Sequence, residues 1–214
     1  MAQRIPNLEE HLLVAAAALI EEAGLEALSL RELGRRAGVS RGAPYYYFSD
    51  KEVLVARVGE LGFSRMGARI GEAVRAHRDP LEQLRAGLRA YVDFARDDWN
   101  FFHLMFSVGL KRDRTHSDSD SPSGEYSYSS EAARNAFGIL VHGIVDAQKA
   151  GLLLPGDPLL IVNVLWAFTH GIAVLARGEH LKHAGGVEPL FEAGLRALLD
   201  SYRPPRVRSR PQAD

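Results

Sequence analysis

The sequence predicts an all-α fold of about nine helices. Three observations predict it. Apolar residues recur at spacings of three and four in one segment after another, helix-opening and helix-closing residues punctuate those segments, and no stretch alternates apolar and polar residues long enough to make a strand. The chain has 214 residues, 46% of them apolar and 25% charged, which suits a packed globular chain and is too apolar for a mostly disordered one.

Leu8, Leu12, Ala15, Ala16, Leu19 and Ala23 share one face of a first helix, and Gly24 closes it. Residues 29–32, Ser-Leu-Arg-Glu, read as a capping box that opens a second helix near Leu30, with Leu33 and Ala37 turned inward. Gly38-Val39 is a tight turn, and Ser40 is the expected N-cap of a short third helix reaching about Tyr47. A second capping box at 49–52 opens a long helix to about His77, and Asp79 before Pro80 opens another to about Asp97. Residues 100–106 form a short apolar helix. Residues 107–129 lose all periodicity, and seven of the sixteen residues from 115 to 130 are serine, so this stretch is expected to be a mobile loop. Helices follow at about 131–150, at 158–177 behind Asp157-Pro158, and at 187–202, where Val187, Leu190, Phe191, Leu195, Leu198 and Leu199 form a stripe. Residues 203–214 hold three prolines and read as a disordered basic tail.

Several function classes fall away. The absence of cysteine excludes disulfides, thiol nucleophiles and zinc fingers, and fits a cytoplasmic location. Glu9 and Glu10 follow the amino terminus too closely for a secretory signal. The apolar run 159–176 approaches membrane-span length, but Asn163, Thr169, His170 and Gly171 interrupt it, so it reads as a helix buried in protein rather than in a membrane. There is no Gly-x-Ser-x-Gly, no phosphate loop and no His-Glu-x-x-His, so no catalytic role and no cofactor are expected. His180 and His183 have nominal metal spacing but no neighbouring carboxylates, so no metal is expected.

The net charge of −1 argues against a uniformly basic nucleic-acid binder, yet the charge is unevenly spread. Residues 31–51 hold Arg31, Arg35, Arg36, Arg41 and Lys51 against Glu32 and Asp50, a local charge of +3. In the same stretch two short helices meet at a glycine-bearing turn, the arrangement of a helix-turn-helix. Small residues, Gly42 and Ala43, stand beside Arg41, and Tyr45, Tyr46, Tyr47 and Phe48 follow. Small residues let a backbone approach a groove floor, while Arg and Tyr reach phosphates and base edges.

Residues 28–54, LSLRELGRRAGVSRGAPYYYFSDKEVL, resemble the DNA-binding head of TetR-type (tetracycline-repressor family) transcriptional regulators. Trp166 with His170-Gly171 also resembles a subgroup whose ligand domain carries a Trp…His-Gly motif. The resemblance implies a three-helix DNA-binding head at 1–50, a helical effector-binding and dimerisation domain at 51–202, and the tail beyond. It implies a ligand-responsive homodimeric repressor that binds a palindromic double-stranded operator and is released by a small hydrophobic effector. The dimer would form through the helices at 158–177 and 187–201. Site residues follow from the matched positions. Arg31, Ser40, Arg41, Gly42, Ala43, Tyr45, Tyr47 and Lys51 would face DNA, Arg41 reading bases and Lys51 holding a phosphate at the start of helix four. Leu33, Ala37, Val39, Tyr46 and Phe48 would be head core, and Arg35 and Arg36 a solvated face. Pro44 departs from the more usual apolar residue at its position. Trp99, Phe102, His103, Met105, Phe106, Trp166, Phe168 and His170 would line an effector pocket. Two other readings stay open: a regulator of the same fold controlled by a partner protein instead of a small molecule, and a helical enzyme with a vestigial head.

Overall fold

The computed structural model describes residues 7–112 (side chains through 106), 130–178, 180–182 and 185–205. The expectations for residues 113–129, for His183 and for the tail beyond 205 lie outside them. Within the described residues the chain forms helices α1 (Leu8–Ala23), α2 (Leu30–Arg36), α3 (Ala43–Tyr47), α4 (Lys51–Arg75), α5 (Pro80–Asp97), α6 (Trp99–Arg112), α7 (Glu131–Lys149), α8 (Pro158–Arg177) and α9 (Val187–Ser201). A single 3₁₀ turn, Leu25–Ala27, follows α1, and no strand occurs among the described residues. The fold is all-α, as the periodicity implied.

Local side-chain chemistry explains the starts of α2, α4, α5 and α8. Ser29 Oγ accepts the Glu32 N–H (3.1 Å), but the reciprocal half of the box is not made, because the Glu32 carboxylate takes the Arg35 guanidinium instead. At α4 the cap is Asp50 rather than Ser49: Asp50 Oδ1 accepts the Val53 N–H (2.7 Å), while the Ser49 hydroxyl donates to Asp50. Asp79 and Asp157 cap α5 and α8 ahead of their prolines. Helix α6 runs to Arg112, past the expected end at Phe106. Only one glycine and no proline lie in 107–112, so backbone bonding continues after the apolar pattern stops.

The chain forms two compact units. The first takes in the described parts of Met1–Arg69 and Asp93–Phe137. Here α1 packs on α2, α3 and α6, with Leu12, Ala16, Leu33, Phe48, Leu54 and Val58 buried. Two interhelical ion pairs join α1 to α4, Glu9 to Arg57 and Glu10 to Arg65 (both 2.7 Å). Gly62 lets α4 close on α6, since a Cβ there would stand 2.7 Å from Met105 Sδ.

The second unit takes in Ile70–Val92 and the described part of Gly138–Asp214. Its core is built from Ile70, Leu84, Leu88, Leu140, Ile144, Val162, Leu165, Phe191 and Leu195. Helix α8 packs on α9, whose Gly194 faces the Phe168 ring so closely that any Cβ would overlap it. Arg85 and Arg89 of α5 pair with Glu192 and Glu188 of α9. The opposite side of α8 is apolar and exposed among the described residues: Leu160 is 61% exposed, and Ala167, Val174 and Leu175 are exposed as well. By length and composition α8 could cross a membrane, at a mean hydropathy of 2.0. A core helix of a soluble chain passes the same test.

Candidate nucleic-acid interface

The candidate interface lies in the first unit and begins with how α2 ends. Gly38 adopts φ 68° and its N–H donates to the Arg35 carbonyl (3.3 Å), while the Val39 N–H donates to the Gly34 carbonyl (3.0 Å). These paired bonds close a helix with a left-handed residue, which glycine adopts without steric cost. The chain reverses and makes one further turn, in which the Ala43 N–H donates to the Ser40 carbonyl (3.0 Å).

Helix α3 then starts at Ala43, two residues later than an N-cap at Ser40 implies, and Gly42 precedes it without a side-chain cap. Pro44 explains the short helix. It sits in the first turn, where a missing N–H leaves no bond unmade, and its ring is buried. Phe48, four residues on and on the same side, is fully buried. Tyr46 is two residues from Pro44, about 200° round the helix. It is therefore turned outward and is 85% exposed, which corrects its expected place in the core. Its ring stands edge-on to Tyr47 at 5.1 Å. Tyr45 and Tyr47 are also exposed, Leu33, Ala37 and Phe48 are buried as expected, and Val39 is half-buried.

The five cations of this stretch divide in two. Arg35 is held by Glu32, and Arg36 by Glu22 of α1. The Arg35 guanidinium bonded to Glu32 holds that carboxylate below its usual range. Arg31, Arg41 and Lys51 form no ion pair or hydrogen bond among the described residues; both arginines are exposed and Lys51 is half-exposed. Ser40 and Gly42 are exposed, and Ala43 is half-buried. Around Gly42 there is nothing within 4 Å of where a Cβ would stand, so the fold itself does not require a glycine there.

The eight residues expected around an effector fall into two groups. Trp99, Phe102, His103, Met105 and Phe106 belong to the first unit. Phe102 and Met105 are buried, Trp99 and Phe106 half-buried, and His103 exposed. Their rings pack on one another, Trp99 on Phe102 at 5.6 Å and Phe102 on Phe106 at 5.0 Å. Trp166, Phe168 and His170 belong to the second unit. There the Trp166 indole N–H donates to the Tyr91 hydroxyl oxygen (3.0 Å), and that hydroxyl lies 2.7 Å from His170 Nδ1. All three groups are satisfied when Tyr91 donates to Nδ1, which places the imidazole proton on Nε2. Burial pushes the His170 pKa below its ordinary value. Sequence reasoning missed Tyr91. The available signal was its place with Leu84 and Leu88 on the buried face of α5, since a buried tyrosine hydroxyl needs a polar partner.

Comparison with known proteins agrees with this geometry. Residues 12–58 match the family of bacterial regulatory proteins designated tetR, and residues 84–198 match the tetracyclin repressor-like C-terminal domain. The chain is 31% identical over 105 residues to FasR of Mycolicibacterium smegmatis, an HTH-type transcriptional activator, a match covering 48% of each chain. It thus spans about half the length of that curated relative. A solved structure of a protein of unknown function from Rhodococcus sp. RHA1 is 31% identical, with a TM-score of 0.78 over 95% of this chain and all of the other. FadR of Bacillus subtilis, solved with stearoyl-CoA, shares the fold at 17% identity and a TM-score of 0.70, over 91% of this chain and all of that one. With its helix-turn-helix in the first unit and a C-terminal domain model matching more than half of its length, the chain belongs to the tetR family of DNA-binding transcriptional regulators.

Proposed function

We propose that this regulator is a homodimeric, ligand-responsive repressor that binds a palindromic operator and leaves it when a small hydrophobic molecule occupies the helical domain. The observation that carries the DNA-facing part is the division of charge around α3. Arg35 and Arg36 are neutralised within the head, whereas Arg31, Arg41 and Lys51 have no ionic partner among the described residues and share their stretch with three exposed tyrosines. Unpaired Arg and Lys neutralise phosphates, and an arginine suits bidentate contact with guanine. In this reading Arg41 reads bases and Tyr45, Tyr46 and Tyr47 offer hydroxyls and ring edges. Gly42, free of internal crowding, admits the backbone to the groove floor, with Ala43 beside it. Ser40 and Arg31 flank the contact. Lys51 holds a phosphate where α4 begins.

The domain reading assigns DNA binding to residues 1–50, effector binding and dimerisation to 51–202, and a basic tail to 203–214. The exposed apolar side of α8 supports pairing with a second copy, because burying Leu160, Val174 and Leu175 against their equivalents removes apolar surface from water. The effector would be apolar, in keeping with the aromatic groups on α6 and α8 and with the acyl-CoA bound by FadR. It acts by favouring a dimer whose heads are wrongly spaced for the operator. The relatives are regulators rather than enzymes, so we assign no catalysis, cofactor or metal, and place the protein in the cytoplasm with its DNA.

One observation favours a second reading: FasR, which matches over 105 residues, is an activator. Selection of duplexes from a randomised pool, followed by transcription from the selected site, tests both. Repression by the wild-type protein upholds the first reading. Stimulation upholds the second, and a pool left without enrichment sinks the operator altogether.

A further inference from the structure

Two carboxylates of the head are each committed to one arginine. Within α2, Arg35 Nε donates to both Glu32 oxygens (3.1 and 2.9 Å) and Nη2 donates to Oε1 (2.5 Å). The Arg36 guanidinium donates to Glu22, which reaches it from the last turn of α1. Neither pair is buried, and the Arg35 side chain is 71% exposed. Exposed pairs of this kind add little to stability, so the fold itself gains little from them. The charge that the head offers to a partner changes more. Arg31 and Arg35 are four residues apart in α2 and therefore share a face. Arg35 and Arg36 both lie in the last turn of α2, directly before the reversal that carries Arg41. All five cations thus belong to one short stretch, yet only Arg31, Arg41 and Lys51 have no acidic partner among the described residues. Glu32 stays ionised, because the Arg35 guanidinium bonded to it holds its carboxyl below the usual range.

We infer that Glu32 and Glu22 limit the DNA affinity of the head: by engaging Arg35 and Arg36 they keep two guanidiniums from phosphates, and so cap the sequence-independent part of binding while leaving Arg41 to read bases. Attraction to phosphates carries no sequence information and grows with each cation that meets one. A head offering all five cations is held more firmly on any duplex, including the many unrelated sites that compete with an operator. The two carboxylates act through the arginines and touch no DNA themselves. The inference rests on the DNA-facing reading of the head.

The test uses full-length protein, an unrelated duplex and a duplex that the wild type has selected from a randomised pool. Glu32→Gln and Glu22→Gln keep the side-chain shape and remove the charge. Each is expected to bind the unrelated duplex roughly three- to tenfold more tightly at low salt, and to steepen the slope of log affinity against log salt by about 0.9 for each bound head. The selected duplex should gain by no larger a factor, and the thermal midpoint should stay at its wild-type value. Glu26→Gln is the control, because Glu26 is exposed and has no ion pair among the described residues; it should leave the slope unchanged. In an Arg35→Gln background Glu32→Gln should no longer steepen the slope, nor should Glu22→Gln in an Arg36→Gln background, since coupled positions are not additive. Four results overturn the inference. They are an unchanged slope and affinity on the unrelated duplex, an equal effect of Glu26→Gln, an undiminished effect when the partner arginine is gone, or a larger gain on the selected duplex than on the unrelated one. A fallen midpoint with wild-type DNA affinity likewise returns the two pairs to a structural role. Failure of the wild type to bind either duplex is a different outcome, which removes the DNA reading and with it any affinity for Glu22 and Glu32 to limit.

Discussion

Among the described residues Arg41 and Lys51 are both unpaired cations, yet they should fail differently. Arg41 stands in the turn before α3, where a guanidinium reaches base edges, so Arg41→Ala should cost about 1–3 kcal/mol of discrimination between operator and unrelated sequence. Lys51 begins α4, so Lys51→Ala should weaken all duplexes alike and lower the slope of log affinity against log salt by about 0.9. Salt titrations on selected and unrelated duplexes separate the two; identical slopes and identical discrimination in both variants would remove these assignments. Tyr46 offers a cleaner case. Because the ring is 85% exposed, Tyr46→Ala should leave the thermal midpoint unchanged while weakening operator binding by at least about 1 kcal/mol. A fallen midpoint with intact DNA affinity would return Tyr46 to the core role that the sequence suggested.

At the scale of the element, α8 is tied to α5 by the Trp166–Tyr91–His170 chain of hydrogen bonds. Burial lowers the His170 pKa below its value in the unfolded chain. The unfolded chain therefore takes up the proton first as pH falls, and protonation favours unfolding. The contribution is complete above the ordinary histidine pKa of about 6.5 and is lost as pH drops through the lower folded value. Denaturant midpoints at pH 7.5 and 5 should show wild-type stability falling, and His170→Gln should fall less across the same interval. Equal slopes in the two proteins would show that His170 is not the group responsible. Asp97 titrates elsewhere. Its bonds to Arg96 and Arg69 hold the carboxylate down to about 2, so any contribution it makes is lost only in more acidic solution.

For the whole molecule, an exposed apolar face on α8 should be covered by a second copy. Leu160→Asp with Val174→Asp should yield a monomer by light scattering, with operator affinity falling steeply because one head holds only half a palindrome. Persistence of a dimer in that variant would place the interface elsewhere. In the dimer the two recognition helices should lie about 34 Å apart, so footprints should show half-sites separated by about one helical turn. The sequence by itself determined the helices and the head. Their ends are set by bonds between residues two to four apart, such as Asp79 to Leu81 and Glu82, and such bonds are written in neighbouring letters. Where two such letters compete the reading slips by a residue, as when Asp50 displaces Ser49 at α4. Only the tertiary structure decided which cations are available, because Arg36 is neutralised by Glu22 from another helix. It also turned Tyr46 outward and Pro44 inward, and it brought Tyr91 to His170 across 79 residues of chain. Local bonding fixes where a helix begins and stops. Which face it buries, and which charge it leaves free, depends on neighbours that only folding supplies.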